Sequence, residues 1–102
     1  MEELPMNYAR VMVLESPLSR AEARKRFRKN TQPALNAAKK AGILKKYSFV
    51  ETGEHSGMLI TEFDTKAKMN KYAKAMSGLR SKSMAETGMQ SWIYSGPVKA
   101  SG

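Results

Sequence analysis

His55 is the only histidine in the chain, and it sits between two glycines in Gly53-Glu54-His55-Ser56-Gly57. Imidazoles titrate near neutrality, so a histidine at the rim of a pocket is a candidate general base. The competing reading is a solvated turn residue, the usual fate of loop side chains. Glu62 lies next to last in the apolar run Met58-Leu59-Ile60-Thr61-Glu62-Phe63. Turned inward, its carboxyl would rise in pKa and suit acid or base work; turned outward, it is a surface carboxylate. Tyr8, Arg10, Tyr47 and Trp92 fall in other apolar runs, with Phe49 and Tyr94 as further aromatics. Together they suit a pocket for a flat, small hydrophobic or anionic ligand. The same aromatics also serve as core or interface residues.

Other chemistries are poorly supported. There is no cysteine, which removes disulfides, thiolate nucleophiles and thiolate metal sites. Asp64 is the only aspartate and His55 stands alone, so no metal cluster is visible. Neither G-x-S-x-G, a P-loop nor G-x-G-x-x-G occurs, and no cofactor is implied.

Lys and Arg number 18 against 9 Asp and Glu, a net charge of +9. The basic run Arg24-Lys25-Arg26-Phe27-Arg28-Lys29 makes nucleic acid a candidate partner, with Arg24, Lys25, Arg28 and Lys29 as the contact surface. Recognition by stacking needs aromatics on the first and third strands. Val11-Met12-Val13 has none, and Gly57 to Phe63 has only the last. The reading favoured over nucleic acid is a solvated helix face with Phe27 turned inward.

These side chains must be positioned by a small scaffold. A chain of 102 residues, 41% hydrophobic and 26% charged, fits one globular domain over 1–102 with a core of about 8–98. No apolar run is long enough for a membrane span, and the acidic start lacks a secretory h-region. With the absence of cysteine, this gives a cytoplasmic expectation.

Tyr8 to Ser16 reads as a strand apolar on both faces. Ser19 and Glu22 form a capping box for a helix from about Arg20 to Ala41, stopped by Gly42. Its stripe is Ala23, Phe27, Thr31, Ala34, Leu35, Ala38 and Ala41, and Pro33 predicts a kink or break near Asn30 to Gln32. Ile43 to Thr52 and Met58 to Phe63 read as strands joined by the glycine-bounded turn. Asp64 or Thr65 caps a second helix with the stripe Met69, Tyr72, Ala73, Met76 and Leu79. Gly78 weakens its end, and Ser81 to Thr87 adds a turn or two before Gly88. Met89 to Tyr94 is the last strand, ended by Gly96-Pro97.

The order β-α-β-β-α-β gives an α+β, ferredoxin-like βαββαβ fold. It has a four-stranded antiparallel sheet with two main helices on one face. The first and third strands are then central. Their second apolar face needs a cover, and a twofold partner through the sheet face, hence a homodimer, supplies one.

From Tyr8 to Val98 the chain resembles the dimeric α+β barrel superfamily, which includes the antibiotic biosynthesis monooxygenase-like proteins. The likeness lies in the strands apolar on both faces, the long first helix, the Gly53–Gly57 hairpin and the Trp92 strand running into Ser95-Gly96-Pro97-Val98. The superfamily holds cofactor-independent oxygenases, haem-degrading enzymes, isomerases and stress proteins. Its haem-degrading members use a helical histidine, and here neither helix has one. The resemblance implies a small-molecule-binding dimer, an oxygenase or isomerase. The alternative is a non-catalytic nucleic-acid-binding or assembly protein.

Overall fold

The computed structural model describes residues 7–101. Of the tail expected over residues 1–7, only Asn7 lies among them. The strands are β1 Tyr8–Glu15, β2 Lys46–Glu51, β3 Ser56–Phe63 and β4 Gln90–Pro97. The helices are α1 Arg20–Arg26, α2 Gln32–Lys40 and α3 Lys66–Thr87, and a π-helical turn over Phe27–Thr31 joins α1 to α2. The sheet runs β2-β3-β1-β4 with every neighbouring pair antiparallel. This is the α+β ferredoxin-like fold, with β1 and β3 central.

Register decides which side chains meet. Tyr8 lies opposite Phe63, Arg10 opposite Thr61, Met12 opposite Leu59 and Leu14 opposite Gly57. Side chains alternate along a strand, so these residues share one face, with Tyr47 and Phe49 of β2. The helices cover that face. Leu35 of α2 and Met69 and Tyr72 of α3 close the core on Leu59, Phe63 and Leu44. Fully burying Leu35 or Phe63 contributes about 1.5–3 kcal/mol each. The opposite face presents Val11, Val13, Val50, Met58, Ile60, Trp92 and Tyr94, and no described element covers it. Trp92 is 43% exposed and Tyr94 63%.

Local chemistry sets the element ends. The Ser19 hydroxyl accepts the Glu22 N–H at 3.2 Å and donates to the Glu22 carboxylate at 3.1 Å. This caps α1, although Glu22 meets the hydroxyl rather than the Ser19 backbone. Pro33 has no N–H to offer the Lys29 carbonyl, so the preceding turn widens and Gln32 N–H reaches back five residues to Phe27. The break expected near Asn30 to Gln32 is therefore a π turn within a continuous helical path. It sets Phe27 on Phe49, ring centroids 4.5 Å apart.

Several boundaries differ from expectation; β3, for one, starts at Ser56, inside the expected turn. β2 starts at Lys46, because Ile43 and Leu44 fold back onto the Ala38 carbonyl and Leu44 plugs the core. Gly78 does not end α3, which runs unbroken through the expected added turns to Thr87 and closes on Gly88 at φ 75°. β4 runs through Gly96 to Pro97, where an edge strand needs no N–H from the proline.

Candidate functional site

A cavity of about 110 Å³ lies between the sheet, the α1–π segment and α3. Met12, Leu14 and Leu59 form its floor, and Phe27, Tyr72, Met76 and Leu79 its walls, with Leu18 and Met89 at one end. Three of its lining residues are arginines, Arg10, Arg26 and Arg80, and none is a carboxylate.

The arginines differ in what they already hold. Arg26 spans α1 and α3 and gives its charge to Glu86 at 2.9 Å. Arg80 Nε donates to Ser91 Oγ at 2.7 Å, and Nη2 donates to the Ser91 carbonyl at 3.3 Å. That ties α3 to β4 but supplies no counter-charge. Arg10 is only 8% exposed, and its guanidinium stands over the Tyr72 ring, 5.5 Å from the centroid. Among the described residues its side chain has neither a hydrogen-bond acceptor nor a carboxylate. Burial pulls the Arg10 guanidinium below the ordinary arginine value; Tyr72 opposes this, and the like charge of Arg80 adds to it. Burial likewise pushes the Tyr72 phenol above its usual value, against the attraction of Arg10. Tyr72 is 2% exposed, and its hydroxyl has no partner among the described residues.

Of the residues singled out for a pocket in the sequence, Arg10 and Phe49 line this cavity. Tyr8 and Tyr47 share its sheet face but pack beside it against the core. The Tyr47 hydroxyl donates to Asn36 Oδ1 at 2.8 Å and accepts from Gln32 Nε2 at 3.4 Å. Strand alternation carries Trp92 and Glu62 to the uncovered face. There the Glu62 carboxylate accepts from Asn7 Nδ2 at 3.0 Å and pairs with Lys46 at 3.1 Å. The Asn7 hydrogen bond and then Lys46 hold it below the usual carboxylate range, despite an opposing effect of burial. The raised pKa expected of an inward Glu62 therefore does not arise.

His55 is exposed on the β2–β3 hairpin, where its Nδ1–H donates to the Leu18 carbonyl at 2.9 Å. It borders a separate shallow depression with Glu15, Pro17, Gly88 and Gln90. In the basic run, Arg24 makes a two-pronged contact with Glu51 at 2.8 and 2.7 Å. Lys25, Arg28 and Lys29 remain exposed. No group of three or more potential metal ligands occurs among the described residues, and none of their helices is long and apolar enough to cross a membrane.

Tyr72 and Arg80 were not legible as site residues, because helical periodicity placed Tyr72 among core residues. The available signal was its hydroxyl, in a stripe otherwise made of Met69, Ala73, Met76 and Leu79.

No family model matches the chain, and no curated protein matches it at a significant level. Solved structures do match its fold. A dimeric ferredoxin-like protein from an uncultured marine organism superposes with a TM-score of 0.72 at 11% identity, covering 93% of this chain and 96% of that one. SnoaB, a cofactor-independent oxygenase from Streptomyces nogalater, gives 0.67 at 9% identity, covering 94% and 96%. A candidate antibiotic biosynthesis monooxygenase from Nitrosomonas europaea gives 0.62 at 12% identity, covering 100% of both chains. The expected likeness to antibiotic biosynthesis monooxygenase-like proteins thus holds at the level of fold.

Proposed function

We propose that this chain is a homodimeric small-molecule-binding protein whose ligand occupies the cavity between sheet and helices. The observation that carries this is a mostly apolar cavity, bounded by three elements, into which a few fixed polar groups converge. The dimer reading rests on the uncovered apolar sheet face and on fold neighbours described as dimeric. A second copy laid sheet to sheet would bury Val11, Val13, Ile60 and Trp92 together.

Within that reading the chemistry is oxygenation or isomerisation of the bound molecule without an added cofactor. Its support is fold analogy to a cofactor-independent oxygenase, together with a sequence that carries no cofactor motif. Glu62 is assigned no step, since it faces away from the cavity. His55 remains a candidate proton acceptor only through the Leu18 end, where its Nε2 is left free of the Leu18 contact. A polyanion-binding role for the basic helix is the alternative, and the closure of Arg24 on Glu51 weighs against it.

Native mass spectrometry of the purified protein, followed by denaturing spectra, tests the assignment. The expected result is a dimer carrying a small mass that is lost on denaturation. A bare monomer at micromolar concentration overturns it and moves the polyanion reading ahead.

A further inference from the structure

The geometry points to Arg10 and the Tyr72 hydroxyl as an anion-holding subsite on the cavity floor, and to a compact apolar carboxylate of single-ring size as its ligand. This rests on the cavity reading above and names the class of molecule the cavity takes.

Arg10 lies on central strand β1, one side-chain repeat from Met12 and opposite Thr61. An apolar residue would fill that place at no electrostatic cost. A buried cation without an acceptor is costly, and such groups persist where something else supplies the counter-charge. Within the described protein nothing does. The charged neighbour that acts on Arg10 is Arg80, of the same sign. Arg26 is neutralised by Glu86, so the unbalanced charge belongs to the Arg10–Arg80 pair. Tyr72 adds a second donor; the residue is 2% exposed, and its hydroxyl is also unpartnered among the described residues. Two donors without partners among the described residues thus line one void, and none of its described lining residues is a carboxylate that would receive a cation.

The planar guanidinium fork matches a carboxylate with two parallel hydrogen bonds. A phosphate dianion would call for more donors than these. Size sets the rest of the molecule. At about 110 Å³ the cavity falls in the class of the roughly 150 Å³ apolar void that takes benzene. That volume matches a single ring, set against Met12, Leu59 and Met76.

The experiment is a calorimetric titration of the purified protein with benzoate, with benzamide as its neutral isostere and with toluene. Benzoate is expected to bind at least about tenfold more tightly than benzamide, the scale of a charge-assisted hydrogen bond. In Arg10→Met that preference disappears while toluene still binds, and the ligand-free variant melts at a higher temperature than the parent. Equal binding of benzoate and benzamide by the parent overturns the anion subsite and leaves the cavity reading standing. Binding of none of the three overturns both. A benzoate preference that survives in Arg10→Met removes Arg10 from the role. If the variant fails to fold, the comparison in the parent protein still decides.

Discussion

Two ionisable side chains, Arg10 and Glu62, occupy neighbouring central strands and face opposite sides of one sheet. Arg10 is buried with no acceptor among the described residues, so its replacement by methionine is expected to stabilise the ligand-free protein by on the order of 1–4 kcal/mol, read from denaturant melts. A loss of stability of that size would show that the guanidinium is satisfied within the protein. Glu62 has the opposite sign. Its folded pKa is depressed, so its contribution is complete above the unfolded value of about 4.3 and is lost as pH falls through the lower folded value. Glu62→Gln should therefore be less stable than the parent at pH 7, with the gap closing below about pH 4. A gap that stays constant down to pH 2 would mean that the Asn7 and Lys46 contacts carry no charge dependence. Arg10 was legible in the sequence, as a cation inside an apolar strand. The side on which Glu62 falls was not, because alternation assigns relative faces and only the assembled sheet says which face the helices take.

Helix α3 shows that one substitution can carry either sign according to backbone geometry. A Cβ added at Gly78 meets nothing within 4 Å, and the residue lies inside a regular helix. Gly78→Ala is expected to stabilise by about 1 kcal/mol, chiefly by restricting the unfolded chain. Gly88 terminates the same helix at φ 75°, with an added Cβ 3.6 Å from Pro17, so space is available and backbone strain is the cost. Gly88→Ala is expected to destabilise by about 1–2 kcal/mol. Thermal melts of the two variants, run side by side, check both signs. Capping and turn chemistry made most element starts and stops legible: Ser19, Gly42, Thr65 and Gly88 all act where their residue types suggest. Element extent was harder to read. Leu44 leaves the strand pattern for the core, and Gly78 is tolerated because Met76, Leu79 and Ser83 continue the inward face past it.

For the whole molecule, the asymmetry of the sheet dominates. One face is closed by helices, and the other offers Val13 against Trp92 and Val11 against Tyr94. The need for a partner was legible from the two apolar faces of β1 and β3. The identity of that partner was not, because a strand pattern records burial without recording what does the burying. Val13→Asp, at the centre of the proposed interface, is expected to convert the dimer to monomer in light scattering. The melting temperature of the parent should rise with protein concentration, and that of Val13→Asp should not. A parent whose melting is independent of concentration, and whose mass is that of one chain, would place this face in contact with some other protein.

Met12, Met76 and Met89 all line the cavity, whereas Met58 looks out from the opposite face of the sheet. Thioethers take up oxygen atoms to become sulfoxides, so these four side chains form a chemical recorder with a sample and a control. Oxygen chemistry carried out on a bound ligand would mark the three cavity methionines ahead of Met58, and peptide mapping after prolonged turnover would find the marks there. An isomerase working in the same cavity would leave the record blank, and oxidant arriving from bulk solvent would mark the cavity methionines whether or not a ligand is bound.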